Sequence, residues 1–300
     1  MRKEIVKDLQ LSEQDSAVLD MHSLYNILTI LAGELQMIEA VAGEDGALRA
    51  STVQVFQVKD NLRNTASALE DARNMESILA GINEAVQELL RNSPHLQDDP
   101  DIQESVANIV SAGDILCVRS KELVARCDAS EQWTVHDIQS LRQNFIDVFA
   151  AIEKNSKGRY RFVYNLAQHT DDAYFIALAL EGDRAEQILM PPVMQDVMRD
   201  LIANARKYTN PGGKVLAGLA EDATTLRFAV EDTGWGIPEQ ELEAVVEFGV
   251  RGTNVQDKPS MGGGFGLTKA YWATKCFQGR MWLASTEGQG TRVDIQIPKP

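Results

Sequence analysis

Over roughly the first 130 residues, apolar side chains recur three or four positions apart, which fits one face of an α-helix and does not fit a strand. Between residues 15 and 42 these positions are Met21, Leu24, Leu28, Leu31, Leu35, Ile38 and Ala42. The stripe that they form is narrow, as in helices that pack against other helices. This segment therefore predicts a long helix that needs partner helices.

Two further segments repeat this spacing. After a break at residues 43–46, the second segment has Met75, Leu79, Ile82, Val86 and Leu89 on one face. The third follows a proline-marked break at residues 93–100, and its face carries Ile102, Val106, Ile109, Gly113, Leu116, Ser120, Leu123 and Cys127. We expect the first two helices to pair as an antiparallel hairpin, with the third as an extra helix.

The second half of the chain has a different pattern. β-branched and aromatic runs at residues 160–166, 174–180, 226–230, 281–284 and 293–297 predict strands. Val193–Lys207 predicts a helix that a proline pair would start, and Thr134 with Asp137 predicts the start of another over residues 138–152. The sequence therefore predicts an α+β protein with two domains, a helical one at residues 1–130 and a mixed one at residues 131–300.

Composition narrows the functional classes. The 44 acidic and 29 basic residues give a net charge of -15, which keeps a protein soluble and disfavours nucleic acid or an anionic membrane surface as the main partner. Cys117, Cys127 and Cys276 lie outside any CxxC spacing, so neither a disulfide framework nor a zinc site is indicated. The sequence has no signal-peptide core and no run approaching ~20 apolar residues, so we expect a cytoplasmic protein without a membrane span.

The predicted helix at residues 193–207 carries three polar side chains on one face. Asp200, Asn204 and Lys207 stand at positions i, i+4 and i+7. Carboxylate and amide oxygens suit Mg²⁺, and a lysine supplies a point charge for phosphate. Taken alone, this pattern is also that of an ordinary amphipathic helix.

The next motif, at residues 230–238, places Asp232 at the end of an apolar strand, followed by Gly234 and Gly236. Glycines at such positions let the backbone approach a ligand closely, and the carboxylate can accept a hydrogen bond from an exocyclic amine. A plain strand followed by a turn would have the same sequence.

Two more motifs lie nearer the C-terminus. One runs from Glu247 and Phe248 to Arg251, and the other is the glycine-rich run at residues 262–267, directly before a helical pattern. Backbone N–H groups at a helix N-terminus bind anions, and the helix dipole reinforces this binding. A surface loop and a flexible hinge are the alternatives for these two segments.

In this order, the four motifs resemble the N, G1, F and G2 boxes of the ATPase family shared by histidine kinases, gyrase, MutL-type repair proteins and the heat-shock chaperone. Residues 204–209, 247–252 and 288–291 are similar to the histidine kinase versions of the N box, the F box and the closing G-x-G-T turn. The resemblance covers residues from about 134 to the C-terminus, and it implies a GHKL-type α/β-sandwich domain that binds ATP with Mg²⁺.

The resemblance also implies a role for each matching residue. Asn204 would bind Mg²⁺, Lys207 would lie near the phosphates, and Asp232 would accept a hydrogen bond from the adenine amine. Residues 247–263 would form a mobile lid over ATP. The other residues implied to bind ATP are Tyr208 against the adenine, Gly234 and Gly236 in the base pocket, Phe248 and Arg251 in the F box, Gly262, Gly264, Phe265, Gly266 and Leu267 around the phosphates, and Thr291 in the closing turn.

Asp200 departs from the asparagine that is usual in histidine kinases at this position. Gyrase-like relatives have a glutamate there, which activates water. Asp200 is therefore a candidate catalytic residue that would raise the rate of plain ATP hydrolysis.

His22 directly follows Met21 of the apolar stripe, so a regular helix leaves its ring reachable by solvent and by a second domain. Residues 22–28 are similar to the H box of histidine kinases and retain His22, Leu24, Asn26 and Leu28. The resemblance implies that ATP phosphorylates His22 and that the phosphoryl group passes to an aspartate of a response-regulator receiver domain. It further implies a homodimer built through the N-terminal helices, an upstream sensor protein as one source of the signal, and Asn26 as the group that orients water for dephosphorylation of the regulator.

Two positions beside His22 depart from the family. Ser23 stands where an acidic residue normally takes the ring proton, and Ile27 stands where a proline is usual. The missing base would weaken catalysis, since general-base help is typically worth ~10²–10⁴-fold. Two alternatives to a histidine kinase stay open: an ATP-binding adaptor that docks a signalling partner, and a protein kinase of the same ATPase family that uses no phosphohistidine. The extra helix would extend the bundle, replace a sensor domain or bind a partner.

Overall fold

The computed structural model describes residues 2–11, 13–43, 46–128, 133–155, 158, 160–184, 186–256 and 264–300. Its contacts divide the chain into two compact units. The helical unit is Leu11–Asp128, and the sheet unit consists of Met1–Gln10 together with Ala129–Pro300. The predicted fold class, α+β with a helical N-terminal part and an α/β sandwich, is confirmed.

In the part of the chain that the structure describes, the helical unit contains four α-helices: α1 (Glu13–Ala42), α2 (Arg49–Asn61), α3 (Thr65–Asn92) and α4 (Pro100–Asp128). Helix α1 packs mainly against α4 and α2, and α3 packs against the same two helices. The expected hairpin between the first two long helices, α1 and α3, is therefore wrong. The sequence analysis missed α2, and its buried Val55 and Val58 contribute to the core of this unit beside α1.

The apolar stripe of α1 lies in the core of this bundle. Leu24, Leu28, Leu31, Leu35 and Ile38 are each 3% exposed or less. Full burial of one such side chain stabilises a fold by about 1.5–3 kcal/mol. The partner helices that the stripe requires are thus supplied by the same chain.

A membrane span was not expected, yet Met21–Ala42 within α1 is long and apolar enough to cross a bilayer by length and composition alone. The expectation that no segment would reach this threshold is wrong. Core helices of soluble proteins and signal sequences pass the same test, and 33% of this segment, including most of the stripe, is buried against the other helices. Length and apolar composition therefore do not distinguish a core helix from a span.

Among the described residues of the sheet unit, seven strands form one sheet in the order β1-β8-β9-β7-β6-β4-β3, and β2 and β5 form a separate pair. Strands β3, β4 and β6 are parallel, and the other pairs are antiparallel. The strands are β1 (Arg2–Ile5), β2 (Thr134–Asp137), β3 (Phe162–Val163), β4 (Tyr174–Glu181), β5 (Gln187–Met190), β6 (Lys214–Glu221), β7 (Thr225–Asp232), β8 (Arg280–Thr286) and β9 (Gly290–Pro298).

Within the described ranges, three α-helices pack against this sheet: α5 (Ile138–Asn155), α6 (Val193–Lys207) and α7 (Gly266–Cys276). Alternate strand residues such as Val215, Leu219 and Phe228 join helix residues in one apolar core. The predicted bounds of α6 match the structure. The predicted helix start at Thr134 is wrong, because Thr134–Asp137 pairs with β5 as a strand and only Asp137 caps α5, accepting from the Ser140 amide at 2.7 Å.

The first residues of the chain belong to the sheet unit, which corrects the expected domain of residues 1–130. Strand β1 pairs with β8 at the edge of the sheet, and Ile5 is fully buried in the core. The buried Tyr271 of α7 donates a hydrogen bond to the Lys7 carbonyl at 2.6 Å. The helical unit is therefore an insertion between β1 and β2 in the sequence of the sheet unit.

Candidate functional site

Asn204 lies on α6 beneath the first turn of α7. A Cβ atom on Gly266 would be only 2.4 Å from the Asn204 amide nitrogen, so a glycine is needed for this close approach. The N-terminus of α7, with its free N–H groups and positive dipole end, is thereby placed next to an amide side chain. This arrangement suits an anion such as phosphate.

Two cations, Lys207 and Arg251, influence each other near the end of α6. Burial, together with the positive charges of Arg251 and Arg206, lowers the pKa of Lys207 to about 8. Arg251 is held from the other side by a hydrogen bond to the Val255 carbonyl. A bound polyanion would relieve this mutual repulsion, so the pair fits the phosphates of a nucleotide.

Asp232, at the end of β7, is a partly buried carboxylate with one oxygen engaged. Its Oδ1 accepts from the amides of Gly234 at 2.8 Å and Thr291 at 3.2 Å. Burial nevertheless raises the pKa of Asp232 to about 6. No side chain or amide of the described residues donates to Oδ2, so this oxygen is suited to accept from a ligand amine.

The glycines after Asp232 are required by close backbone contacts. A Cβ on Gly234 would lie 2.2 Å from the Tyr208 carbonyl, and Gly236 has φ +69 with the Thr286 carbonyl 2.2 Å from its Cβ position. Trp235 between them donates its amide to the Tyr208 carbonyl at 3.0 Å, and the two rings meet edge to face at 6.5 Å. Trp235 is thus a pocket residue that the sequence analysis did not name.

Residues 247–254, which include the F box and are called the F segment here, are held at several points. The rings of Phe248 and Phe265 are 4.7 Å apart, and Thr268 donates to the Glu247 carbonyl at 2.9 Å. Asn254 donates to the Gly236 carbonyl at 3.0 Å, which ties this segment to the pocket around Asp232. Gly264 has φ +77, whereas Gly262 lies outside the described residues.

Asp200 has a partner that the sequence did not indicate. Lys269, in the first turn of α7, is 3% exposed and places its ammonium 3.6 Å from Asp200 Oδ2 and 3.2 Å from Asp196 Oδ2. Arg199 also pairs with Asp196. The only signal in the sequence is the spacing of the two acids by one helical turn.

The candidate metal ligand is Asn204. Among the described residues, no group of three His, Cys, Asp or Glu side chains is arranged to hold a metal ion. Mg²⁺ commonly takes few protein ligands and completes its shell with water and substrate phosphates. One amide oxygen beside an anion-binding helix end fits that mode.

His22 lies in the helical unit and its surroundings match the expectation. The flanking Met21 and Leu24 are buried, whereas the His22 ring is partly exposed. Its Nε2 is 3.1 Å from the side-chain nitrogen of Asn26, one turn further along α1. The predicted site residues thus form two groups, His22 with Asn26 in the helical unit and the remaining described ones in the sheet unit.

Residues 191–300 match the family model described as histidine kinase-, DNA gyrase B- and HSP90-like ATPase. The chain is 32% identical over 118 residues to the adaptive-response sensory kinase SasA of Synechococcus elongatus and 30% identical over 140 residues to the sensor histidine kinase WalK of Bacillus subtilis. The resemblance to sensor histidine kinases is confirmed.

These alignments cover 39% and 46% of the chain and only 30% and 22% of SasA and WalK. The chain therefore spans less than a third of the length of these two relatives. Among solved structures, the mycobacterial sensor histidine kinase MprB matches 56% of this chain and 97% of its own, with a TM-score of 0.40 and 18% identity.

Proposed function

We propose that this chain is an ATP-dependent protein histidine kinase that binds ATP in the ATPase domain and phosphorylates His22. One observation carries the proposal. The partly buried acceptor Asp232, the cations Lys207 and Arg251, and the close pair of Asn204 and Gly266 lie in one domain that is similar to sensor histidine kinases.

Each of these groups suits one part of ATP. Asp232 Oδ2 accepts from the adenine amine, and the partial burial of this carboxylate limits the water that competes for that hydrogen bond. Lys207 and Arg251 neutralise phosphate charge. Asn204 is the residue that would hold Mg²⁺, which when bound supplies further charge neutralisation at the phosphates.

In the transfer step, a ring nitrogen of His22 attacks the γ-phosphorus. The new N–P bond forms as the bond from that phosphorus to the β,γ-bridging oxygen breaks, ADP leaves, and the ring gives its proton to water. Because Ser23 is not a base, positioning must supply most of the rate. An Asn26 amide that donates to Nε2 fixes the tautomer with the lone pair on that nitrogen, and this hydrogen bond opens before Nε2 attacks.

The phosphoryl group would then pass to an aspartate of a response-regulator receiver domain. Asn26 would orient the water that dephosphorylates the regulator. We further propose a cytoplasmic homodimer that receives its signal through another protein. Because the α1 stripe is buried in its own chain, a dimer would use the exposed face of α1 with Ile30 and Met37, which are 44% and 52% exposed.

The proposal is tested by incubating the protein with γ-labelled ATP and treating the labelled protein with acid. Label that acid removes, and that is absent in His22→Ala, supports the proposal. His95→Ala is the matched control, because His95 is an exposed histidine of the same helical unit.

Bound ATP without label would instead favour the ATP-binding adaptor. This adaptor is the main alternative to a histidine kinase, because Ser23 replaces the acid that normally takes the ring proton. Acid-stable label on a serine of an added protein would favour the third alternative, a kinase without phosphohistidine.

A further inference from the structure

Three side chains spaced by one helical turn on α6 face α7. Asp196 and Asp200 both contact Lys269 of α7. Asn204 lies next to Gly266 at the start of the same helix. The contact face of α7 thus consists of a glycine beside the candidate metal ligand and a buried lysine beside two acids. The lysine lies one turn from the end of α7 that suits phosphate.

We propose that Lys269 is a positioning residue that restrains Asp200 and so limits ATP hydrolysis by water. The inference rests on the proposed ATP site. In hydrolysis, the water oxygen bonds to the γ-phosphorus as the bond to the β,γ-bridging oxygen breaks, ADP leaves, and the water proton goes to the Asp200 carboxylate. That role requires a carboxylate oxygen that is free to turn toward the water.

Lys269 removes this freedom. Its ammonium lies 3.6 Å from Asp200 Oδ2, and at 3% exposure it has little room to move. Asp196 holds the same ammonium at 3.2 Å and is itself paired with Arg199, so the lysine is fixed from a second direction. Asp200 is 28% exposed on its other side, where water has access. The lysine therefore favours transfer of the γ-phosphoryl to histidine over transfer to water.

The first experiment measures phosphate release at saturating ATP. Lys269→Met frees Asp200, and we expect release to rise about tenfold, a part of the ~10²–10⁴-fold available to a general base. In Lys269→Met combined with Asp200→Asn, release falls to the level of Asp200→Asn alone. Lys269→Arg restores low release, because it keeps a cation between the two acids. A rise that persists without Asp200 overturns the proposal.

Lys269→Met leaves Asp196 facing a buried apolar group, so this variant is also prepared with Asp196→Asn, which removes the added buried charge. ATP affinity is measured by calorimetry for every variant, and each must bind ATP. Unchanged release in both folded Lys269→Met backgrounds contradicts the proposal.

A second readout uses the nucleotide-free protein. Thermal unfolding of Lys269→Met, Asp200→Asn and the double variant forms a double-mutant cycle. We expect the sum of the two single losses in Tm to exceed the loss in the double variant by several degrees. If the losses are additive, the two side chains do not form a stabilising ion pair and the proposal is contradicted. The kinase proposal is judged separately by the acid-labile label on His22: a rise in release without that label contradicts only the kinase, and label without the rise contradicts only the role of Lys269.

Discussion

Replacing Asp232 by asparagine should stabilise the nucleotide-free protein while weakening its affinity for ATP. The shift of the Asp232 pKa from 3.8 to about 6 means that the ionised side chain costs the folded state up to about 3 kcal/mol at neutral pH, at ~1.4 kcal/mol for each tenfold change. Asparagine keeps an oxygen for the amides of Gly234 and Thr291 and carries no charge. Half of that free energy would already raise Tm by several degrees in a domain of this size.

The effect has a defined pH dependence. Since the folded pKa lies above the unfolded one, the cost is absent below about pH 4, grows up to about pH 6 and is constant above. The difference in stability between Asp232→Asn and the unmodified protein should follow this course. A difference that does not change with pH would mean that burial of the charge is not its cause.

The loss of affinity follows from Oδ2. With the oxygen of asparagine held by the two amides, its NH₂ group takes the place of Oδ2 and faces the adenine amine, so a donor meets a donor. An unmade buried hydrogen bond costs about 1–3 kcal/mol, or roughly 10–100-fold in Kd. Calorimetry with ATP and urea unfolding measure both effects. Lower stability together with unchanged ATP affinity would refute the assignment of this pocket.

Three further outcomes follow from the structure. Lys207→Met should raise the nucleotide-free Tm at pH 7, because the folded pKa of about 8 shows that the charged side chain is unfavourable in the folded protein. This gain in Tm should disappear as the pH rises from 8 to 10.5. The affinity for ATP, measured in parallel, should fall about tenfold or more. Gly266→Ala should force the Asn204 amide aside and abolish Mg²⁺-dependent ATP binding in calorimetry, whereas Gly218→Ala, with open space at its Cβ position, should bind ATP normally. Leu31→Ala should lower the free energy of unfolding of the helical unit by about 2–5 kcal/mol, followed by circular dichroism, with ATP affinity unchanged.

Local pattern was sufficient for α6 and for the glycines around the pocket. The bounds of α6 follow from its strong helical period and the preceding prolines. The need for Gly234 follows from the close Tyr208 carbonyl, and the need for Gly266 follows from the close Asn204 side chain. Strand β6 was missed because its sequence contains Gly218 and two alanines, which have low β-propensity, and only the neighbouring strands give it an extended conformation.

Long-range contacts account for the remaining differences. Pairing of β1 with β8 joins positions that are far apart in sequence, so no local pattern reveals it. No local pattern distinguishes Lys269 from other helical lysines, because its role depends on contacts with the acids of α6. The partners of the α1 stripe depend in the same way on α2 and α4.

Phosphorus NMR of the protein after incubation with Mg-ATP, at neutral pH and without denaturant, tests the central claim most directly. The account predicts a phosphohistidine resonance that is present in His95→Ala and absent in His22→Ala. No phosphohistidine in a protein that binds ATP, or one that persists in His22→Ala, would contradict it.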